Sequence, residues 1–301
     1  MVDKYPNFSI VIPTFFRPGP LRNCLKALAV MDYPRTRYEV IVINDGAPFM
    51  QTKDLIPLGA SMTLRVFNQS NRGPASARNM GASRALGEAI AFTDDDCAPS
   101  PKWLKSLVGG LTQGDQCAAG GRTVNQLQDN AYAIASQMMV DYLYCVMNES
   151  SEKARFLASN NLAVPKDRFM AMGGFDTGFT RAAGEDRDFC RRWVQRGYGM
   201  VYVSDAVVFH AHDFGFPGYL RQHFNYGRGA LRYHRGKTGR SLKKIKSLLF
   251  YIGLLRFPLD RLGIGKRYRL ALLMALSQVA TTAGFLAGIR GPKGTTSILK
   301  R

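Results

Sequence analysis

The sequence predicts an α/β protein: an open, mostly parallel central sheet flanked by helices over residues 1–214, followed by a basic helical segment over residues 215–301. Three observations predict it. Short apolar runs alternate with stretches of helical periodicity, the pattern of β-α-β units. Several of those runs end in Asn, Asp or Gly, where an open α/β sheet collects its ligands. The third is charge. The chain of 301 residues carries 41 Lys and Arg against 22 Asp and Glu, a net of +19. Residues 215–301 hold 18 Lys and Arg against Asp260 alone, so the basicity belongs to the tail and the first 214 residues are nearly balanced. With 46% hydrophobic and 11% aromatic residues, the composition is that of a folded chain with a full core and excludes a disordered one.

The elements follow in order. FSIVIP at 8–13 and YEVIVI at 38–43 read as buried strands, and between them Leu21, Cys24, Leu25, Leu28 and Ala29 recur at helical spacing. Met62 to Phe67 forms a third apolar run, followed by the polar loop NQSNRGP and a helix from Ala75 to Leu86. AIAFT at 89–93 is a fourth and ends in three aspartates. Residues 99–214 are more mixed, with helices near 100–112, 130–147 and 185–196 and a strand at 200–209. Beyond Phe214, Gly, Arg, Tyr and Lys dominate before two apolar segments at 247–255 and 270–289. There the domain boundary is placed, and no internal repeat is visible.

The five cysteines are odd in number and show no metal-ligand spacing, which argues for a reducing, cytosolic setting over a disulfide framework or a zinc site. The N-terminus lacks the basic start and apolar run of a secretory signal.

Several clusters can carry chemistry. Asp94, Asp95 and Asp96 follow an apolar strand, and three adjacent carboxylates repel one another unless a cation neutralises them. Oxygen ligands favour Mg²⁺ or Mn²⁺; a solvated acidic turn is the plainer alternative. Asp45 in VINDG ends the second strand, where a carboxylate can accept hydrogen bonds from a ribose or base, although Asn-Asp-Gly is also an ordinary turn. Asn71-Arg72-Gly73-Pro74 feeds a helix carrying Arg78, a start that presents backbone N–H groups and a guanidinium to an anion; the alternative is a plain helix entry with Arg78 on a solvated face. GEDRD places Glu185, Asp186 and Asp188 at the start of a helix; capping explains at least one, and a second can act as a general base. His210 and His212, two residues apart at a strand end, put both rings on one face, where one can complete a metal's ligand set.

In order, IVIPTFFRP, VINDG, NRGPASARNMG, AIAFTDDDC, ASNNLAVPKDRFMAMGGFD, GEDRDFCRR and VVFHAH resemble glycosyltransferase family 2, inverting enzymes of the Rossmann-like GT-A fold. The resemblance implies a nucleotide-sugar pocket lined by Pro13, Thr14, Arg17, Asp45, Gly73, Arg78, Asp94 and Asp95. It implies a divalent metal, Mg²⁺ or Mn²⁺, held by Asp96 with Asp94 and His210, His212 remaining open as the histidine contact. Asp186 would be the catalytic base, with Glu185 the alternative. The metal would neutralise a departing nucleoside diphosphate while the base deprotonates an acceptor hydroxyl, inverting the anomeric centre. Polymerising members carry Gln-x-x-Arg-Trp after the base; the corresponding LRQHFNYGRG lacks it, which favours transfer of one sugar per encounter.

The tail points to a membrane surface, and with it to a glycan or lipid-linked acceptor at the cytoplasmic side of the cell membrane. Residues 270–289 are uncharged and long enough to cross a bilayer, yet Ser277, Gln278, Thr281 and Thr282 form a polar stripe that suits an interfacial or partner-packed helix as well as a single-span anchor. The run 247–255 reads as a surface-lying segment beside Lys243, Lys244 and Lys246; a soluble helical cap is the remaining alternative. Two rival functions use the same features: a nucleotidyltransferase of similar fold, and a basic nucleic-acid-binding protein. No nucleic acid is expected as a partner, because the charge sits beside apolar segments and no nucleic-acid fold motif is present.

Overall fold

A computed structural model describes residues 5–46, 48, 50, 55, 62–114, 116–148, 150–181, 183–235, 248–261 and 264–290. Its centre is an eight-stranded sheet in the order β3-β2-β1-β4-β7-β6-β8-β5. The strands are β1 (Phe8–Thr14), β2 (Tyr38–Asp45), β3 (Thr63–Gln69), β4 (Ala89–Phe92), β5 (Cys97–Pro99), β6 (Ala118–Asn125), β7 (Leu162–Pro165) and β8 (Met200–His210). The half containing β3, β2, β1 and β4 is parallel. The other half is mixed: β7 runs antiparallel to both β4 and β6, β5 runs antiparallel to β8, and β6 and β8 are parallel.

The apolar strands are buried because both faces of the sheet are covered. Along β1, Ile10 and Ile12 join one core cluster while Val11 joins the other; along β2, Val40 and Val42 separate from Ile41 and Ile43 in the same way. Two-residue side-chain alternation thus sends one continuous apolar run into two cores, and each fully buried side chain of this size contributes about 1.5–3 kcal/mol. The first core is closed by α1 (Pro18–Ala29), through Leu21, Cys24, Leu25 and Leu28, and by α3 (Trp103–Leu111), through Trp103, Leu104 and Leu107. Pro18 starts α1 at a position where its missing N–H has no helical partner to lose. The second core is closed by α2 (Pro74–Arg84), α5 (Lys166–Ala171) and α6 (Glu185–Gln195), with Phe169, Phe175, Phe189 and Trp193 stacked in sequence beneath the sheet.

A third cluster joins the middle of the chain to its last helices. Ala135, Met138 and Tyr142 of α4 (Ala131–Met147) pack with Tyr219 of α7 (Phe216–Arg235), Leu254 and Phe257 of α8 (Leu248–Arg261), and Leu270, Leu273 and Met274 of α9 (Ile264–Arg290). The helices predicted near 100–112, 130–147 and 185–196 are α3, α4 and α6. The strands β5, β6 and β7 are additions that periodicity did not reveal, and within the segment read only as helical the structure bounds the twenty-residue α7. Lys243, Lys244 and Lys246 lie outside the described residues.

Candidate active site

The sequence-predicted residues gather at the carboxyl ends of β1, β2, β4 and β8. β1 ends at Thr14, and Phe16 adopts a left-handed φ of 55°, uncommon for a bulky residue. The turn brings Arg17 back over the aspartates. Its guanidinium forms an ion pair with Asp95, and its Nη1 lies 2.9 Å from Asp96 Oδ2. Thr14 Oγ1 donates to Asp95 Oδ2 at 2.7 Å. Pro13 contributes only its place in β1, in register with Ile43. Burial pushes the Asp95 carboxyl up to about 6, against the opposing pull of Arg17 and Thr14. Asp96 goes the other way: burial disfavours its charge, but the hydrogen bond and charge of His210, together with Arg17, hold it well below the usual carboxylate range.

The histidines complete a compact donor set. His210 Nε2 lies 3.2 Å from Asp96 Oδ1, and one ligand atom each from Asp96, His210 and His212 falls within 4.8 Å of the others. The His212 ring stacks on Phe214 at 3.8 Å between centroids, which fixes its direction. Burial lowers His212 to about 4, so its imidazole is neutral and keeps a lone pair for a cation. Burial opposes charge on His210 as well, but the Asp96 hydrogen bond and charge prevail and raise it. One carboxylate and two imidazoles at this separation fit a divalent cation. Asp94, expected beside Asp96, instead accepts from Arg78 Nη2 at 2.6 Å and lies outside this donor set.

Arg78 is buried and links the strand ends to α6. Its Nη1 lies 3.1 Å from Glu185 Oε1, while Glu185 Oε2 accepts from the Ala183 backbone N–H at 2.9 Å. Three acidic residues open α6, favourably placed at a helix N-terminus, and the structure separates their surroundings. Glu185 is buried and paired with Arg78. Asp188 is buried and paired with Arg191 and Arg192 at 2.6 and 2.7 Å. Asp186 accepts from the N–H of Arg187 at 2.7 Å and has no ion pair of its own among the described residues. Burial, followed by the neighbouring Glu185 charge, raises Asp186 to about 7.

Asp45 is placed differently from a free nucleotide contact. Its Oδ1 accepts from the Arg72 N–H at 2.8 Å and Gln69 Nε2 at 2.7 Å, and its Oδ2 accepts from the Gly73 N–H at 2.8 Å. With 5% of its surface exposed, it acts as a staple for the loop entering α2. Gly73 sits at φ 88°, and a Cβ there would lie 2.5 Å from the Thr180 carbonyl oxygen, so the loop can approach the segment before α6 only through glycine.

Sequence reasoning missed the wall that α7 supplies. Tyr233 lies under the guanidinium groups of Arg187 and Arg191. Gly229 presses on the Ala183 carbonyl. One turn earlier Tyr226 accepts from Gln222 Nε2 at 2.5 Å. Burial raises the Tyr226 phenol, and the charges of Asp186, Glu185 and Asp94 raise it further, which locates it at the same cleft. The available signal was the four-residue spacing of Gln222 and Tyr226 on one helix face, hidden because the segment was read as helical only in outline, without bounds for this helix.

Comparison with known proteins agrees with this arrangement. Residues 9–179, more than half of the chain, match the model of glycosyl transferase family 2. The chain is 25% identical over 236 residues to glycosyltransferase AglE of Haloferax volcanii, covering 77% of this chain and 75% of that protein. It is 25% identical over 233 residues to the pre-mycofactocin glycosyltransferase of Mycobacterium tuberculosis, covering 75% of this chain but 47% of the longer relative. In fold it resembles the mannosyltransferase PcManGT from Pyrobaculum calidifontis, solved in complex with GDP-Man and Mn²⁺, with a TM-score of 0.67 and 17% identity over 95% of this chain and 88% of that one. The motif order, the sheet with its carboxylates at the strand ends and the family match converge: the chain belongs to glycosyl transferase family 2 and is a glycosyltransferase of GT-A fold.

Proposed function

We infer that the chain transfers one sugar, with inversion, from a nucleoside diphosphate donor to a hydroxyl of a glycan or lipid-linked acceptor at a membrane surface, with Mn²⁺ or Mg²⁺ as cofactor. The observation that carries this reading is the separation of two charge environments within one cleft. Asp96, His210 and His212 form a cation-binding group, while Asp186, beyond the Arg78–Glu185 pair, is a carboxylate tuned close to neutrality. A divalent cation held by Asp96, His210 and His212 would supply positive charge to the diphosphate as it leaves.

The remaining steps belong to the chain's own groups. Arg17 and Thr14 hold Asp95 at the end of β1, and the Asp45 staple shapes the Gly73 loop against the donor. Asp186 accepts the acceptor's proton as the acceptor oxygen bonds to the anomeric carbon and the bond to the diphosphate breaks; the nucleoside diphosphate departs. Arg78 keeps Glu185 and Asp94 neutralised, which leaves Asp186 as the carboxylate available for that proton. Support for the donor class comes from the GDP-Man and Mn²⁺ complex of the mannosyltransferase with similar fold.

The test is thermal-shift and titration screening against UDP, GDP, dTDP and CDP with Mn²⁺ or Mg²⁺, alongside Asp96→Ala. Metal-dependent stabilisation by one nucleotide, lost in the variant, is the expected result. A well-folded protein stabilised by none of them overturns the donor assignment, and a product retaining the donor's anomeric configuration overturns inversion.

A further inference from the structure

α9 is built inside out for a helix on the surface of a water-soluble protein. Such a helix turns its apolar stripe to the core and its polar groups to water. Here the polar stripe faces inward: Ser277 is fully buried and donates to the Met274 carbonyl, Gln278 Nε2 lies 3.4 Å from Met139 Sδ, and Thr281 Oγ1 donates to the His223 carbonyl at 3.2 Å. The outward face carries Tyr268 (61% exposed), Leu272 (61%), Val279 (66%), Leu286 (51%) and Ile289 (47%), which fall on one side at helical spacing, with Thr282 the polar exception. A continuous apolar face of this length marks an interaction surface.

Packing decides how such a face can meet its partner. α7 runs beside α9 in the same direction. Tyr219 donates to the Leu273 carbonyl, Gly227 meets the Thr281 carbonyl, Gly284 meets the Phe224 carbonyl, and Leu231 lies against Gly288. The two backbones approach closely because neither Gly227 nor Gly284 has a Cβ, which would lie 1.9 Å from the facing carbonyl in each case. Over that whole stretch α7 carries exposed Arg221, Arg228 and Arg235, its Arg232 is paired with Asp176, and the candidate active site lies on another side. A helix joined lengthwise to an arginine-bearing helix cannot be surrounded by hydrocarbon, although Lys266–Ile289 has the length and composition to cross a bilayer.

We propose that α9 lies along a membrane containing anionic lipid, its outward stripe of Tyr268, Leu272, Val279, Leu286 and Ile289 sunk to the boundary between headgroups and acyl chains. Lipid is the occupant that matches the charge. The segment from 215 onward holds 18 Lys and Arg against Asp260 alone, and Lys266, Arg267 and Arg269 stand at the start of the stripe, where phosphate groups would meet them. The inference deepens the proposed function, on whose membrane-surface acceptor it rests. It also places α7 between the lipid surface and Asp186, so that an acceptor in the membrane reaches the cleft from the side on which α9 is seated.

The full chain is tested by flotation with vesicles of phosphatidylcholine alone and with phosphatidylglycerol added. Anionic vesicles are expected to carry the protein. Leu272→Glu with Val279→Glu should lower the partition coefficient by at least about tenfold, because each change puts a charge where the bound state sinks an exposed apolar side chain into lipid. Leu86→Glu, which alters an exposed side chain on the catalytic unit, should leave it unchanged. Single Leu272→Trp, Val279→Trp and Leu286→Trp variants then report depth through quenching by brominated lipids, since the native Trp103 and Trp193 are fully buried. Equal, shallow quenching at all three positions is expected. Deep quenching at position 279 with shallow quenching at the ends, together with resistance to alkaline extraction, would show a span and overturn the lying arrangement. Absence of vesicle binding while nucleotide and Mn²⁺ still bind would overturn the membrane assignment and leave the sugar-transfer reading intact. A two-chain mass in solution that falls to one in the double glutamate variant would identify a second copy as the occupant instead.

Discussion

At the scale of single residues, the feature that separates Asp186 from its neighbours is the lack of an ion pair among the described residues. Glu185 and Asp188 have guanidinium partners, and Asp186 is left with one backbone N–H and a raised proton affinity. Since a base works in its charged form, activity should fall as pH drops through about 7, and kcat/KM plotted against pH should show that acid limb. Asp186→Asn should lower kcat by about 10²–10⁴-fold. The same raised affinity has a stability consequence of definite sign. The folded state binds the proton more tightly than the unfolded chain, so stability declines as pH rises from the ordinary carboxylate range to about 7 and stays lower above it. Asp186→Asn should therefore be more stable than the parent at pH 8, by about 1–3 kcal/mol in thermal or denaturant unfolding. An inactive variant that is less stable at pH 8 would argue that Asp186 is held by contacts rather than strained by burial.

At the scale of elements, the loop between β3 and α2 shows how the site is assembled from distant segments. Asp45, at the end of β2, accepts two successive backbone N–H groups from Arg72 and Gly73, and Gly73 in turn touches Thr180. The loop entering α2 is thereby tied to the segment that leads into Asp186. Gly73→Ala combines a left-handed φ with a carbonyl in the space its Cβ requires, so it should cost about 1–3 kcal/mol and displace the loop. Unfolding midpoints measure the first effect and nucleotide titration the second. Nucleotide affinity unchanged in a destabilised variant would show that the loop is structural and does not contact the donor.

At the scale of the whole molecule, the segments before and after residue 214 share a core. Ala135, Met138 and Tyr142 of α4 are covered by Tyr219, Leu254, Phe257, Leu270 and Met274. Ending the chain at residue 214 would uncover that face and remove Gly229 from Ala183, two residues before Glu185. Such a truncation should lower the thermal midpoint and bind an apolar dye. A fully stable, active 1–214 fragment would show that the later helices are an independent appendage.

The sequence by itself determined the strand-helix order of the parallel half, the position of the carboxylates at strand ends and the unequal division of charge. These are local properties: apolar runs, helical spacing and counts of Lys and Arg are visible without knowing what lies opposite them. It also brought together Asp94, Asp95, Asp96, Glu185, Asp186, His210 and His212 as candidates, because their motifs are contiguous. Their different surroundings were decided only in three dimensions. Arg78 stands 16 residues from Asp94 and 107 from Glu185 yet binds both, and that choice leaves Asp186, among the described residues, without an ion pair and Asp94 outside the Asp96–His210–His212 group. The short β5 and β7 carry too few residues to show a period, β6 (AAGGRTVN) lacks the large apolar residues that mark a strand, and α7 carries glycines where periodicity expects side chains, because those glycines are contact points with Ala183 and Thr281. For α9 the polar stripe was legible but its direction was not. Which way Ser277 and Thr281 point depends on what packs against them, and a sequence pattern has no inside until the tertiary structure supplies one.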